Sequence, residues 1–125
     1  MNAKGSIKAA MLTLPIVCTA SFAWGAADCR SIAGQMNGQS VVAVRRVELF
    51  ATSIILSGTL DGMKSPRHSL PCKALAKGVY CDAIFKGAIV TVMTNGRRMI
   101  ETVADPTSKK EYASVVYECN RVMKP

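Results

Sequence analysis

The sequence predicts an all-β fold, a small antiparallel β-barrel or sandwich stapled by two disulfides and carrying at most one or two short helices. Three observations predict it. Six short runs rich in Val, Ile, Leu and Thr alternate in polarity and are separated by Gly-, Asn-, Asp- and Pro-bearing turns. Four of the five cysteines lie outside the opening segment, and an even count in a small exported domain is the pattern of a disulfide framework. No internal repeat, low-complexity tract or second domain interrupts the pattern.

The opening residues read as an export signal occupying residues 1–27. Lys4 and Lys8 form a basic start, Ala9 to Ala27 carries no charge, and Gly25 and Ala27 supply the small residues at −3 and −1 for a cut before Asp28. A cut before Ala26 is the alternative. Pro15, the many Ala and Thr residues and the small-residue exit favour processing over a retained anchor, although an apolar run of about 17–25 residues can span a bilayer. Residues 28–125 then form a single β-rich domain, periplasmic or secreted, with no transmembrane anchor. Lys4 and Lys8 leave with the signal, so the formal charge of +8 falls to +6.

Along that domain, residues 28–38 suggest a short helix with Asp28 as N-cap and Asn37-Gly38 as stop. Residues 40–60 follow as two strands. Val42 and Val44 share one parity and Val47 and Leu49 the other, so a bulge or bend is expected at Arg45-Arg46. Asp61 to Pro71, with Asp-Gly, Ser-Pro and Leu-Pro, reads as the clearest loop, and Cys72 to Lys77 as a one- or two-turn helix ended by Gly78. Val79, Cys81, Ala83 and Phe85 alternate as a strand face. Residues 88–94 and 97–103 flank Asn95-Gly96, a type I′ hairpin signal. Residues 104–110 form the next loop and Tyr112 to Cys119 the last strand.

The cysteines are read as structural. Zinc needs close Cys pairs or several histidines, and this chain has no C-x2-C and only His68; a thioredoxin-type couple needs C-x-x-C as well. Of the three possible pairings, the nested one is favoured, joining Cys29 to Cys119 near the ends and Cys72 to its neighbour Cys81. On chain-entropy grounds the short ring restricts the unfolded state by about 2.7 kcal/mol and the long one by about 4.6.

No catalytic signature appears. His68, between Arg67 and Ser69, is the sole histidine available as a base, and no local pattern selects two of Asp61, Asp82, Glu101, Asp105, Glu111 and Glu118 as a hydrolytic pair. No cofactor is expected. The functional hint is the basic surplus, in which Lys64, Arg67, Arg97 and Arg98 are the candidate binding residues and the segment from Gly62 to Leu70 the expected contact loop. The reading is a non-enzymatic binding module for an anionic ligand or an acidic protein partner of the envelope or extracellular space. Nucleic acid is disfavoured by export and by the lack of a base-stacking motif.

The alternative reading is a protein inhibitor of a hydrolase, directed at a lysozyme or a protease, whose loop inserts Lys64 or Arg67 into an acidic cleft. Small periplasmic lysozyme inhibitors share the general plan of export signal, disulfide and β-barrel, though none of their motifs aligns with this chain. Many lysozymes are themselves basic and would repel a +6 partner, so an acidic target or a trypsin-like pocket accepting Arg67 fits better. An accessory subunit of a secreted or envelope complex is the third reading.

Overall fold

The computed structural model describes residues 23–123, and among them the chain forms strands joined in sequence order by tight turns, with no helix. The strands are β1 (Ala23–Met36), β2 (Gln39–Ser40), β3 (Ala43–Phe50), β4 (Ser53–Leu60), β5 (Met63–Leu75), β6 (Gly78–Phe85), β7 (Ala88–Asn95), β8 (Arg98–Ala104) and β9 (Glu111–Cys119). Each of the long strands pairs antiparallel with the next, and β9 returns to pair with β1, which closes an eight-stranded barrel. The two-residue β2 is an appendage hydrogen-bonded to the end of β1.

Alternation sets the wall. In β3 the side chains of Ala43, Arg45, Val47 and Leu49 are buried while their neighbours face outward, and the same period places Ile54, Leu56, Val79, Cys81, Val92, Met99, Val115 and Tyr117 inside. Outside stand Arg46, Glu48, Arg67, Asp82, Arg98 and Glu118, each exposed or half-buried.

The two ends are built differently. The upper end carries the turns at residues 51–52, 76–77 and 96–97 together with the C-terminal residues 120–123. The lower end carries the turns at residues 37–38, 61–62 and 86–87 and the loop at residues 105–110. Asn37-Gly38, Asp61-Gly62 and Lys86-Gly87 all have positive φ at both positions, the type I′ geometry that matches strand twist. In the β7–β8 hairpin Asn95 is paired with Arg98, so the turn residues are Gly96 and Arg97, and only Gly96 has positive φ. That is the type II′ pattern, one residue on from the expected Asn95-Gly96 turn.

Both disulfides are those of the nested pairing. Cys29 lies directly opposite Cys119 across β1 and β9, and Cys72 opposite Cys81 across β5 and β6. Three other expectations are corrected. The helix expected over residues 28–38 is strand β1, because the segment is hydrogen-bonded on both sides, to β3 and β9, and this tertiary pairing outweighs local propensity. No bulge occurs at Arg45-Arg46: β3 runs in continuous register with β4, Val42 and Val44 face outward, and Arg45 takes the core position.

The third correction is the largest. The loop expected over Asp61 to Pro71 and the helix over Cys72 to Lys77 together form the long strand β5 and its turn. Two prolines are accommodated where no ladder bond is lost to them. Pro66 sits at an irregularity where Pro66 and Arg67 face the single residue Ser57 of β4, and Pro71 stands where pairing with β6 ends. Opposite the irregularity, Gly58 has φ +137°, and a Cβ there would collide with the Val44 carbonyl of β3.

Candidate functional site

An arginine in a barrel core requires a partner, and β8 supplies it. Arg45 Nε and Nη2 donate to the two carboxylate oxygens of Glu101 at 3.1 and 3.0 Å, and the Tyr117 hydroxyl donates to Glu101 Oε1 at 2.8 Å. Arg45 and Glu101 are each 6% exposed and Tyr117 is fully buried. Burial pulls the Arg45 guanidinium down, but the Glu101 charge and its hydrogen bonds outweigh this and hold it above its ordinary value. Burial, with the Glu101 carboxylate second, pushes the Tyr117 phenol well above the usual tyrosine range. Glu101, a carboxylate considered above for hydrolysis, is thus enclosed by the wall with both oxygens engaged.

His68 is held from two sides. Its Nδ1 lies 3.0 Å from the Pro66 carbonyl oxygen, and its ring stacks on Phe85 with centroids 5.5 Å apart. The stack bridges β5 and β6 below the point where their ladder stops, so it closes a stretch of wall that backbone bonds leave open. At the lower end, Asp105 Oδ1 accepts from the backbone N–H groups of Thr107 and Ser108 at 2.7 and 2.9 Å, and Oδ2 accepts from the Tyr112 hydroxyl at 3.0 Å. The backbone bonds, that to Ser108 foremost, hold the Asp105 carboxyl below its ordinary value. Its bond to Asp105 raises the Tyr112 phenol. These contacts shape the loop at residues 105–110. Among the described residues no group of three or more His, Cys, Asp or Glu side chains is placed to hold a metal ion.

The four candidate binding residues are not gathered. Lys64 stands on β5 beside the lower turn. Arg67, on the outer wall, pairs with Glu48 at 3.4 Å. Arg97 and Arg98 belong to the upper end, where Arg97 Nη2 donates to the Asn120 carbonyl at 2.8 Å and Arg98 Nε lies 3.3 Å from Glu118. The contact loop expected over Gly62 to Leu70 is wall, and Lys64 and Arg67 project from a hydrogen-bonded strand.

The upper end brings together a different set. Between the β5–β6 turn, the β7–β8 turn and the C-terminal residues lies a cleft of about 630 Å³ lined by Leu75, Lys77, Asn95, Val122 and Met123, among others. Leu75, Lys77 and Asn95 also line a second depression with Met93, Arg98 and Ile100. Met93 and Ile100 continue into a shallow groove on the outer wall of β6 to β8, beside Tyr80 and Ile89, whose far rim carries Asp82, Lys109 and Glu111. The large apolar side chains along this path, Val122, Leu75, Met93 and Ile100, are between 38% and 48% exposed. Lys73 lies over the Tyr80 ring at 5.7 Å on the same flank. Sequence reading missed this surface. The sequence pattern suggests a helix over Leu75 and Lys77, and Met93 and Ile100 lie on the outward parity of strands whose inward parity is also apolar.

Comparisons of the chain with protein-family models, with curated proteins and with solved structures each found no match.

Proposed function

We propose that the protein is an exported, non-enzymatic binding module whose upper end docks an acidic polypeptide partner of the envelope or extracellular space. The observation that carries this reading is the continuous path of half-exposed apolar side chains, from Val122 through Leu75 to Met93 and Ile100, bordered by Lys77 and Arg98. Contiguous apolar surface rimmed by charge marks an interaction site, and cations on that rim favour acidic side chains on the partner. A partner of this kind would bury apolar side chains in the cleft and meet the rim with carboxylates. Two disulfides fit an oxidising compartment, and the basic, then uncharged, N-terminal segment fits export. The inhibitor reading by loop insertion loses its loop, since residues 63–75 are strand.

The test uses an acidic, aromatic polypeptide, poly(Glu,Tyr), titrated against the immobilised protein. Saturable binding is expected. Lys77→Glu with Arg98→Glu should weaken it by on the order of 1–3 kcal/mol, the scale of charge-assisted contacts. Leu75→Ser should weaken it also, whereas Lys64→Ala with Lys86→Ala at the lower end should leave it nearly unchanged. Equal losses from both ends would replace the docking surface with diffuse electrostatics.

A further inference from the structure

We propose that the exported chain is processed at the Ala23–Trp24 peptide bond, so that Gly25, Ala26 and Ala27 remain in the mature protein as the start of β1. The proposal rests on the export reading above and moves the cut upstream of the one before Asp28. Residues 23–27 belong to the barrel wall: Ala23, Gly25, Ala26 and Ala27 pair with Phe50, Leu49, Glu48 and Val47 of β3. Ala27 is 1% exposed and lies within the core cluster.

The C-terminal residues depend on the same segment. Gly25 is packed by Met123, whose atoms lie 3.6 to 3.8 Å from where a Cβ would stand, and Met123 is itself buried. A cut before Asp28 would strip β3 of its neighbour along its upper half. Val47, Leu49 and Met123 would lose the cover they now have, and Ala27 would leave the core.

The leader accommodates the upstream bond. The uncharged run that begins at Ala9 supplies an h-region of about 7–15 residues ahead of either cut, so the pairing of residues 23–27 with β3 is what selects between them. Ser21 and Ala23 supply small residues at −3 and −1 for a cut before Trp24. The step is hydrolysis of one amide by a signal peptidase of the export machinery. Water adds across the Ala23–Trp24 bond, Ala23 keeps the new carboxylate and Trp24 the new α-amine. The break falls at the register irregularity between Ala23 and Gly25, so the rest of the β1–β3 ladder is retained.

The experiment is export of the full chain with its own leader from a bacterial host, followed by N-terminal sequencing and intact mass of the exported protein. A chain opening on Trp24 is expected; an exported chain with any other first residue overturns the assignment and leaves the export reading standing. A chain that is never exported overturns both. Trp24 is the only tryptophan, so the mature protein should show indole fluorescence on 295 nm excitation, and its absence would place the cut downstream. Ala23→Leu should make precursor accumulate while Ala27→Leu leaves cleavage at its wild-type rate; the opposite pattern would assign the cut to the bond before Asp28.

Discussion

A guanidinium is tolerated in a barrel core when its charge is met in place, and Glu101 meets that of Arg45 through two parallel hydrogen bonds. Removing one partner leaves the other charged and enclosed. Glu101→Ala should therefore cost about 3–5 kcal/mol in urea unfolding, while Arg45→Met with Glu101→Leu and Tyr117→Phe, which orphans no hydroxyl, should be neutral or stabilising by about 1–4 kcal/mol. The triple change also removes Arg45 Nη1, a buried N–H group with no partner among the described residues. Tyr117 adds a pH dependence. Its folded-state pKa is raised, so its stabilisation is whole below the unfolded value of about 10 and is lost as pH rises above it. Alkaline titration of stability should show this loss, and Tyr117→Phe should abolish that part of it. None of this was legible in the sequence, because the change of apolar parity between Val44 and Val47 suggests a bulge at Arg45-Arg46, and only the fold reveals that Arg45 keeps the inward position and meets a carboxylate from β8.

At the scale of elements, the strands from β6 onward were readable because their alternation is regular and their connections carry Gly87, Gly96 or the Asp105-Pro106 pair. β1 and β5 were misread for opposite reasons. Asn37-Gly38 terminates a helix or turns a hairpin with equal ease, and the cross-strand partners that decide between them are remote in sequence. In β5, Pro66 and Pro71 signalled a loop, yet each falls where a ladder bond is already absent. The consequence is a weak seam. Beyond Cys72 and Cys81 the β5–β6 ladder stops, while the Cys72 N–H points to β4, donating to the Thr52 carbonyl at 2.8 Å. By alternation the N–H groups of Ser69 and Ile84 face the seam beyond that last pair. Hydrogen exchange measured by NMR should find these two amides fast and those of the neighbouring β7–β8 ladder slow. Strong protection at both would mean that the ladder continues past the disulfide. The candidate site was partly legible for the same reason as the strands. Arg98 stands out beside the hairpin signal, but its neighbours Leu75 and Lys77 belong to the segment whose prolines suggest a loop and helix, and Lys64 stands at the other end of the barrel.

At the scale of the whole molecule, closure depends on residues from the two ends of the described chain. β1 and β9 are the first and last long strands, and their ladder from Cys29↔Cys119 to Met36↔Ala113 converts an open sheet into a barrel with no free edge there. The disulfide at the head of that ladder spans 90 residues, whereas Cys72–Cys81 spans 9 and braces one seam. Loop-closure entropy ranks them: about 4.6 kcal/mol for the long ring against about 2.7 for the short one. Native geometry acts in the same direction, since loss of the long staple releases strands at both termini together with the core residues Ala27, Tyr117 and Met123. Cys29→Ser with Cys119→Ser should therefore destabilise the protein more than Cys72→Ser with Cys81→Ser, by about 2 kcal/mol in guanidinium unfolding. The short-ring variant should keep a cooperative transition, with its faster exchange confined to β5 and β6. A larger loss from the short-ring pair would mean that the β5–β6 seam, and not the β1–β9 ladder, limits the stability of the barrel.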